Sequence, residues 1–153
     1  MPCARRPSNA LGETAAPYPA LGVDVGTVRV GLAISDPGGL VATPLESIAG
    51  GRDLVARLAD LARARRCGTV VVGLPRALSG RETASTASAR AVADGLRNLG
   101  LNVEFWDERL SSVEAERVLL AAGVRRAERK AGRDAVAATI ILQGWLDGRP
   151  RVE

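Results

Sequence analysis

The order of apolar runs and amphipathic stretches predicts an α/β domain whose elements follow the order βββαβαβαα. Three observations carry the prediction. Two short apolar runs, Leu21 to Val25 and Val28 to Ile34, flank Gly26-Thr27 and read as a β-hairpin. The run Thr69-Val70-Val71-Val72-Gly73-Leu74 is apolar and rich in β-branched residues, the pattern of a strand covered on both faces. Elsewhere apolar residues recur at helical spacing, as at Leu54, Leu58 and Leu61. A meander followed by alternating helices and strands builds a five-stranded mixed sheet with helices on both faces.

Each element has its own local reason. Residues 1–19 hold Pro2, Pro7, Pro17 and Pro19 among few apolar residues, so a disordered leader is expected, with one domain over 20–148 and a short tail at 149–153. After the hairpin, Asp36-Pro37-Gly38 turns the chain, and Val41 to Ile48 makes a third strand in which Pro44 points to an edge position. Arg52 to Arg66 is an amphipathic helix with a basic end and Gly68 as its stop. Pro75 ends the apolar strand. Glu82 to Leu99 is an Ala-rich helix with Val92, Leu96 and Leu99 toward the core, closed by Asn98 and Gly100. Leu101 to Trp106 is the last strand, leading into Asp107-Glu108-Arg109. Ser111-x-x-Glu114 is a capping box that opens a helix over Ser112 to Ala122, stopped at Gly123. A basic connector, Arg125 to Arg133, precedes the final helix, Asp134 to Asp147, with Val136, Ile140 and Leu146 among its apolar positions.

Composition narrows the function classes. The chain has 153 residues, 46% hydrophobic and 25% charged, ordinary for a soluble globular domain. No apolar run approaches the ~20 residues that span a bilayer. The first residues also lack the apolar core of a secretory signal, so a cytoplasmic location with no membrane partner is expected. Net charge is +4, and Lys130 is the only lysine. Arginine is the better bidentate partner for phosphate, although a general Arg and Ala bias produces the same composition. With no histidine at all, a His general base, a Ser-His-Asp triad and any imidazole metal ligand are excluded. Cys3 and Cys67 form neither a disulfide framework nor a zinc site.

The remaining chemistry lies in carboxylates at element ends. Asp24 closes the first strand, sharing a face with Gly22 opposite Leu21, Val23 and Val25. A buried, unpaired carboxylate there costs several kcal/mol, which calls for a partner, a metal or a polar site. Alternatively, Asp24 is a turn aspartate bonded to nearby amides. Asp107 and Glu108 alternate across a strand, so one suits a ligand role and the other a structural or substrate contact. Asp107 with Arg109 also fits an ordinary surface ion pair, and Asp134 fits the favourable end of a helix dipole. Clustered carboxylates suit hard cations such as Mg²⁺ or Mn²⁺, and two such ions activate water and stabilise a leaving oxygen in phosphodiester cleavage.

Four motifs, in order, resemble one family. They are Asp24-x-Gly26-x-x-Arg29-x-Gly31-x-Ala33-x-Ser35-Asp36; Val71-Val72-Gly73-Leu74-Pro75 with Gly80; Trp106-Asp107-Glu108-Arg109-Leu110-Ser111; and Asp134-x-x-Ala137-Ala138. Together they resemble the YqgF/RuvX family, Holliday-junction-resolvase-like proteins also regarded as candidate pre-16S ribosomal RNA nucleases, over about Leu21 to Leu146. The resemblance implies a ribonuclease H-like fold, a cytoplasmic location, nucleic acid as partner and a nuclease activity dependent on Mg²⁺ or Mn²⁺. By position it makes Asp24, Glu108 and Asp134 the catalytic, metal-binding acids, with Asp107 competing for the role of Glu108. Thr27 and Arg29 become phosphate or substrate neighbours, and Arg109 a phosphate contact or a brace for the acids. The central strand ends Gly73-Leu74-Pro75, without the acid that many ribonuclease H relatives carry there. The loop Arg76-Ala77-Leu78-Ser79-Gly80 also departs from the family's usual Leu-Asn-Met-Asp-Gly, which puts substrate contacts from that loop in doubt.

Two rivals stand beside this reading. An Asp-x-Gly-Thr hairpin also opens the phosphate-binding lobe of sugar kinases and actin-like ATPases, but these need a second lobe and a second nucleotide motif. A non-catalytic RNA-binding ribosome-assembly factor would rely on the basic patch Arg125, Arg126, Arg129, Lys130 and Arg133, and would keep the acids for stability. Within the nuclease reading, a precursor of the small-subunit ribosomal RNA is expected as substrate, with branched DNA second. Junction cleavage asks for a homodimer, whereas precursor trimming is compatible with a monomer. Aromatic content of 3% leaves few stacking platforms, so recognition through backbone and shape is expected.

Overall fold

In the computed structural model, residues 16–75, 79, 81–108 and 133–149 are described. Strands β1 (Ala20–Val25), β2 (Arg29–Ser35) and β3 (Ala42–Ala49) form the meander, followed by α1 (Leu54–Ala64), β4 (Thr69–Leu74), α2 (Ala84–Asn98), β5 (Val103–Asp107) and α3 (Arg133–Asp147). The sheet runs β3-β2-β1-β4-β5. Strands β1, β2 and β3 pair antiparallel, whereas β1–β4 and β4–β5 pair parallel. This is the expected mixed five-stranded α/β sheet. The helix expected over Ser112–Ala122, the basic patch from Arg125 to Lys130 and the leader as far as residue 15 lie outside the described residues.

The position of each strand follows from its side chains. Every residue of β4 is buried, as its unbroken apolar run requires between β1 and β5. Strand β3 lies at the edge, where Pro44 costs no interior ladder bond. Alternation along the strands then sorts two cores. Leu21, Val23, Leu32, Val70 and Val72 pack with Leu58 of α1 and Leu96 of α2 on one face. Ala20, Ala33 and Val71 pack with Ala138, Ile141, Leu142 and Trp145 of α3 on the other.

The α3 face is a close-approach face. At Gly22 a Cβ would lie 2.7 Å from Leu142 Cβ and 3.0 Å from the Ala138 carbonyl oxygen, so helix and strand touch backbone to backbone there. Gly144 of α3 receives the Trp106 ring in the same way, with 2.9 Å left to the indole Nε1. Buried Gln143 ties the helix to the meander. Its Oε1 accepts from the Ala42 amide at 2.9 Å, and its Nε2 donates to the Leu40 carbonyl at 3.0 Å. The docked stripe is therefore Ala138, Ile141, Leu142 and Trp145 with Leu146, while Val136 and Ile140 are only half-buried flanks. No helix among the described residues is long and apolar enough to cross a membrane.

The helix ends differ from expectation in instructive ways. Helix α1 ends in a Schellman motif: the Cys67 amide donates to Ala62 at 2.8 Å and the Arg66 amide to Arg63 at 3.1 Å. The left-handed residue is Arg66, with φ 56°, and not the glycine two positions on. Gly68 has a different role, because a Cβ there would run into the Ala16 carbonyl. A left-handed arginine is disfavoured relative to glycine, so Arg66→Gly is expected to stabilise the fold by about 0.5–1 kcal/mol in urea titrations. Helix α2 begins two residues later than its composition indicates because Thr83 and Thr86 form a reciprocal capping box, with the Thr86 hydroxyl also donating to the Pro75 carbonyl. It closes on Gly100 at φ 89°, which leaves Leu99 beyond the last turn and 44% exposed. Half-buried Cys67 is pushed up to about 11 by burial, which keeps its thiol protonated and unreactive.

Candidate active site

The acids converge because of strand register. Val23 pairs with Val72 and Gly73 with Trp106, so Asp24, Gly73 and Trp106 occupy neighbouring positions on the α3 face of β1, β4 and β5. Asp24 and Gly22 share that face, as strand alternation requires, while Leu21 and Val23 enter the opposite core. Glu108 directly follows β5 and returns to the α3 face. Its Oε2 lies 3.2 Å from where a Cβ on Gly73 would sit, placing the carboxylate over the central strand. Asp107 pairs with Leu74, and Leu74 belongs to the core on the α1/α2 face. Of the two adjacent acids, Glu108 is thus the one turned toward the side of Asp24.

Electrostatics register this proximity. The Glu108 carboxyl is pushed up to about 7, first by burial, then by the charge of Asp24, then by that of Asp107. Its Oε2 is buried with no hydrogen-bond partner among the described residues. A carboxylate oxygen stripped of water and facing other acids is a poor structural element and a good hard-cation ligand. The donor set fits a divalent metal on that ground. Among the described residues, no group of three or more acids stands ready-made for an ion. The expected third acid, Asp134, lies in the first turn of α3, four residues before Ala138, and its side chain is outside the described residues.

The other site residues distribute simply. Thr27 and Arg29 are exposed on the β1–β2 turn, beside the end of β1 that carries Asp24. The turn is tight: the Gly26 amide donates to the Arg29 carbonyl at 3.0 Å, and a Cβ on Gly26 would lie 2.5 Å from that oxygen. Val28 at its tip is 74% exposed. Arg109 and the loop residues Arg76, Ala77, Leu78 and Gly80 lie outside the described residues. Gly73 presents bare backbone beneath the Glu108 carboxylate. In the sequence this position is marked by the absence of an acid at the end of the central strand.

Comparison with known proteins places the chain in a family. A family model described as "RuvX: Holliday junction resolvase" matches residues 19–148. A protein of Mycolicibacterium smegmatis named "Putative pre-16S rRNA nuclease" is 49% identical over 138 residues, covering 84% of this chain and 80% of that protein. A namesake from Roseobacter denitrificans is 46% identical over 132 residues, covering 83% and 81%. Among solved structures, Thermus thermophilus RuvC in complex with a Holliday junction substrate superposes with a TM-score of 0.55 at 17% identity, covering 82% of this chain and 90% of that one, a likeness of fold. With the family model matching residues 19–148 and relatives 46–49% identical over most of their length, the chain belongs to the RuvX family.

Proposed function

We propose that this protein is a divalent-metal-dependent nuclease that processes the 5′ end of pre-16S ribosomal RNA. The observation that carries the reading is the approach of Glu108 to Asp24 across Gly73, with a buried carboxylate oxygen that has no hydrogen-bond partner among the described residues. Asp24, Glu108 and Asp134 would hold Mg²⁺ or Mn²⁺, which when bound activates water and offsets charge on the leaving oxygen. The chain's own contribution is positional. Strand register sets Asp24 beside Gly73, Glu108 directly follows β5, and Asp134 would join them from the first turn of α3. Arg29 and Thr27, exposed on the hairpin, suit contacts to the phosphate backbone, with Arg109 a further phosphate partner. Asp107 takes a supporting role from the opposite face.

The choice of RNA rests on the names of relatives that are 46–49% identical. The description of the family as a Holliday junction resolvase favours a second reading, cleavage of four-way DNA by a homodimer. The test presents two labelled substrates, the 5′ precursor of the small-subunit ribosomal RNA and a four-way DNA junction, to wild type and Asp24→Asn with Mn²⁺ or EDTA. Cuts in the RNA alone that need both metal and Asp24 support the proposal, and cuts in the junction alone transfer it to DNA. Binding of RNA without cleavage of either substrate would replace both readings with a non-catalytic assembly factor. A cytoplasmic site of action follows from the proposed substrate.

A further inference from the structure

We propose that Gly73 is a positioning residue for the acidic site: the space left by its missing side chain is the seat of the Glu108 carboxylate. This rests on the metal-site reading above and extends it to a residue with no functional group. Strand β4 lies between β1 and β5, and residue 73 occupies the α3 face between Asp24 and Trp106. Any side chain there would project into the gap between the first and last parallel strands.

Two neighbours already fill that gap. A Cβ on Gly73 would lie 2.4 Å from Ile141 Cδ1 and 3.2 Å from Glu108 Oε2. The first contact is a packing demand made by α3. The second is a demand made by the site, since no hydrogen-bond donor among the described residues reaches Oε2. Left-handed backbone does not explain the glycine, because the positive-φ glycines are Gly39, Gly51 and Gly100. The carboxylate thus reaches the middle of the sheet from the edge strand, and it does so only while the central strand presents bare backbone beneath it. The terminal methyl of Ile141 walls the same space on the helix side, so strand and helix together fix the carboxylate in one place.

The two demands can be separated. Ile141→Val removes Cδ1, the contact at 2.4 Å, and leaves Cγ1 at 3.2 Å, no closer than the carboxylate oxygen. The variants compared are Ile141→Val, Gly73→Ala/Ile141→Val and Glu108→Gln, each followed by melting without metal and by calorimetric titration with Mn²⁺. The double variant is expected to melt within a few degrees of Ile141→Val, yet to bind Mn²⁺ about tenfold more weakly, the size of effect seen when the support of a ligand is disturbed. Binding equal to that of Ile141→Val would overturn the inference and reduce Gly73 to a packing residue, as would failure of the double variant to fold. The Glu108→Gln control separates the levels. If it loses binding while the double variant keeps it, only the role of Gly73 fails. If it binds Mn²⁺ like wild type, the metal-site reading fails and takes the role of Gly73 with it.

Discussion

Glu108→Gln is expected to abolish metal-dependent cleavage, by about a thousandfold or more, while making the metal-free protein more stable at pH 8. The two effects have one cause. In the fold the carboxyl titrates near 7, against an ordinary value of 4.5, because burial and the charges of Asp24 and Asp107 oppose ionisation. A carboxyl raised in this way supports the fold when protonated, and that support is lost as pH climbs from about 4.5 to about 7. Glutamine keeps the shape without the charge. After allowance for solvent at a half-buried position, the variant should gain about 1–2 kcal/mol over wild type at pH 8 and almost nothing at pH 4. Added Mn²⁺ reverses the order, because ion binding stabilises wild type and has little to hold in the variant. Thermal melts at the two pH values, with and without Mn²⁺, check every part. A variant equally stable at both pH values, or one that still cleaves, removes Glu108 from the site. Asp24→Asn should match it in lost cleavage, and Asp107→Asn should only lower the rate. The opposite ranking of residues 107 and 108 would exchange their roles.

Gly22→Ala is expected to be the most damaging small substitution in the sheet. The added methyl meets the Leu142 Cβ at 2.7 Å and the Ala138 carbonyl oxygen at 3.0 Å, atoms fixed to the backbone of α3. Neither can turn aside, so the helix must lift from β1. Overpacking of this kind costs about 3 kcal/mol, or roughly 10 °C in melting temperature for a chain of this size. Cleavage should fall as well, since α3 carries Asp134 and its first turn moves with the rest. Urea denaturation gives the stability and Mn²⁺-dependent cleavage the activity. Unchanged stability would mean that helix and strand do not approach as closely as the packing indicates.

Much of this was legible in the residues before any coordinates. The unbroken apolar run of β4, the hairpin around Gly26-Thr27 and Pro44 on the edge strand are local signals with local causes, and each held in the fold. Facing was legible too: strand alternation separates Asp107 from Glu108 and joins Gly22 to Asp24. What could not be read depended on partners distant in sequence. The stop of α1 is Arg66 because the Schellman bonds close there, whereas Gly68 is held small by the segment preceding β1. The docked stripe of α3 was hard to see because the helix is apolar nearly all round. Its side toward the sheet is selected by Gly22, Gly73 and Trp106, which lie far back along the chain. The seat of Glu108 on Gly73 belongs to the same class, since the functional signal is a side chain that is missing.

The split of the sheet into two separately covered faces has a consequence for how the protein is made. Helices α1 and α2 arise between the strands they cover, so that face can close as the chain emerges. The other face waits for α3, whose Gln143 must bond Ala42 across a sequence separation of 101 residues. On the proposed reading, a nascent polypeptide still short of residue 133 holds Asp24 and Glu108 but has neither the helix that covers them nor the third acid. On that reading, cleavage competence arrives only once α3 has emerged and docked.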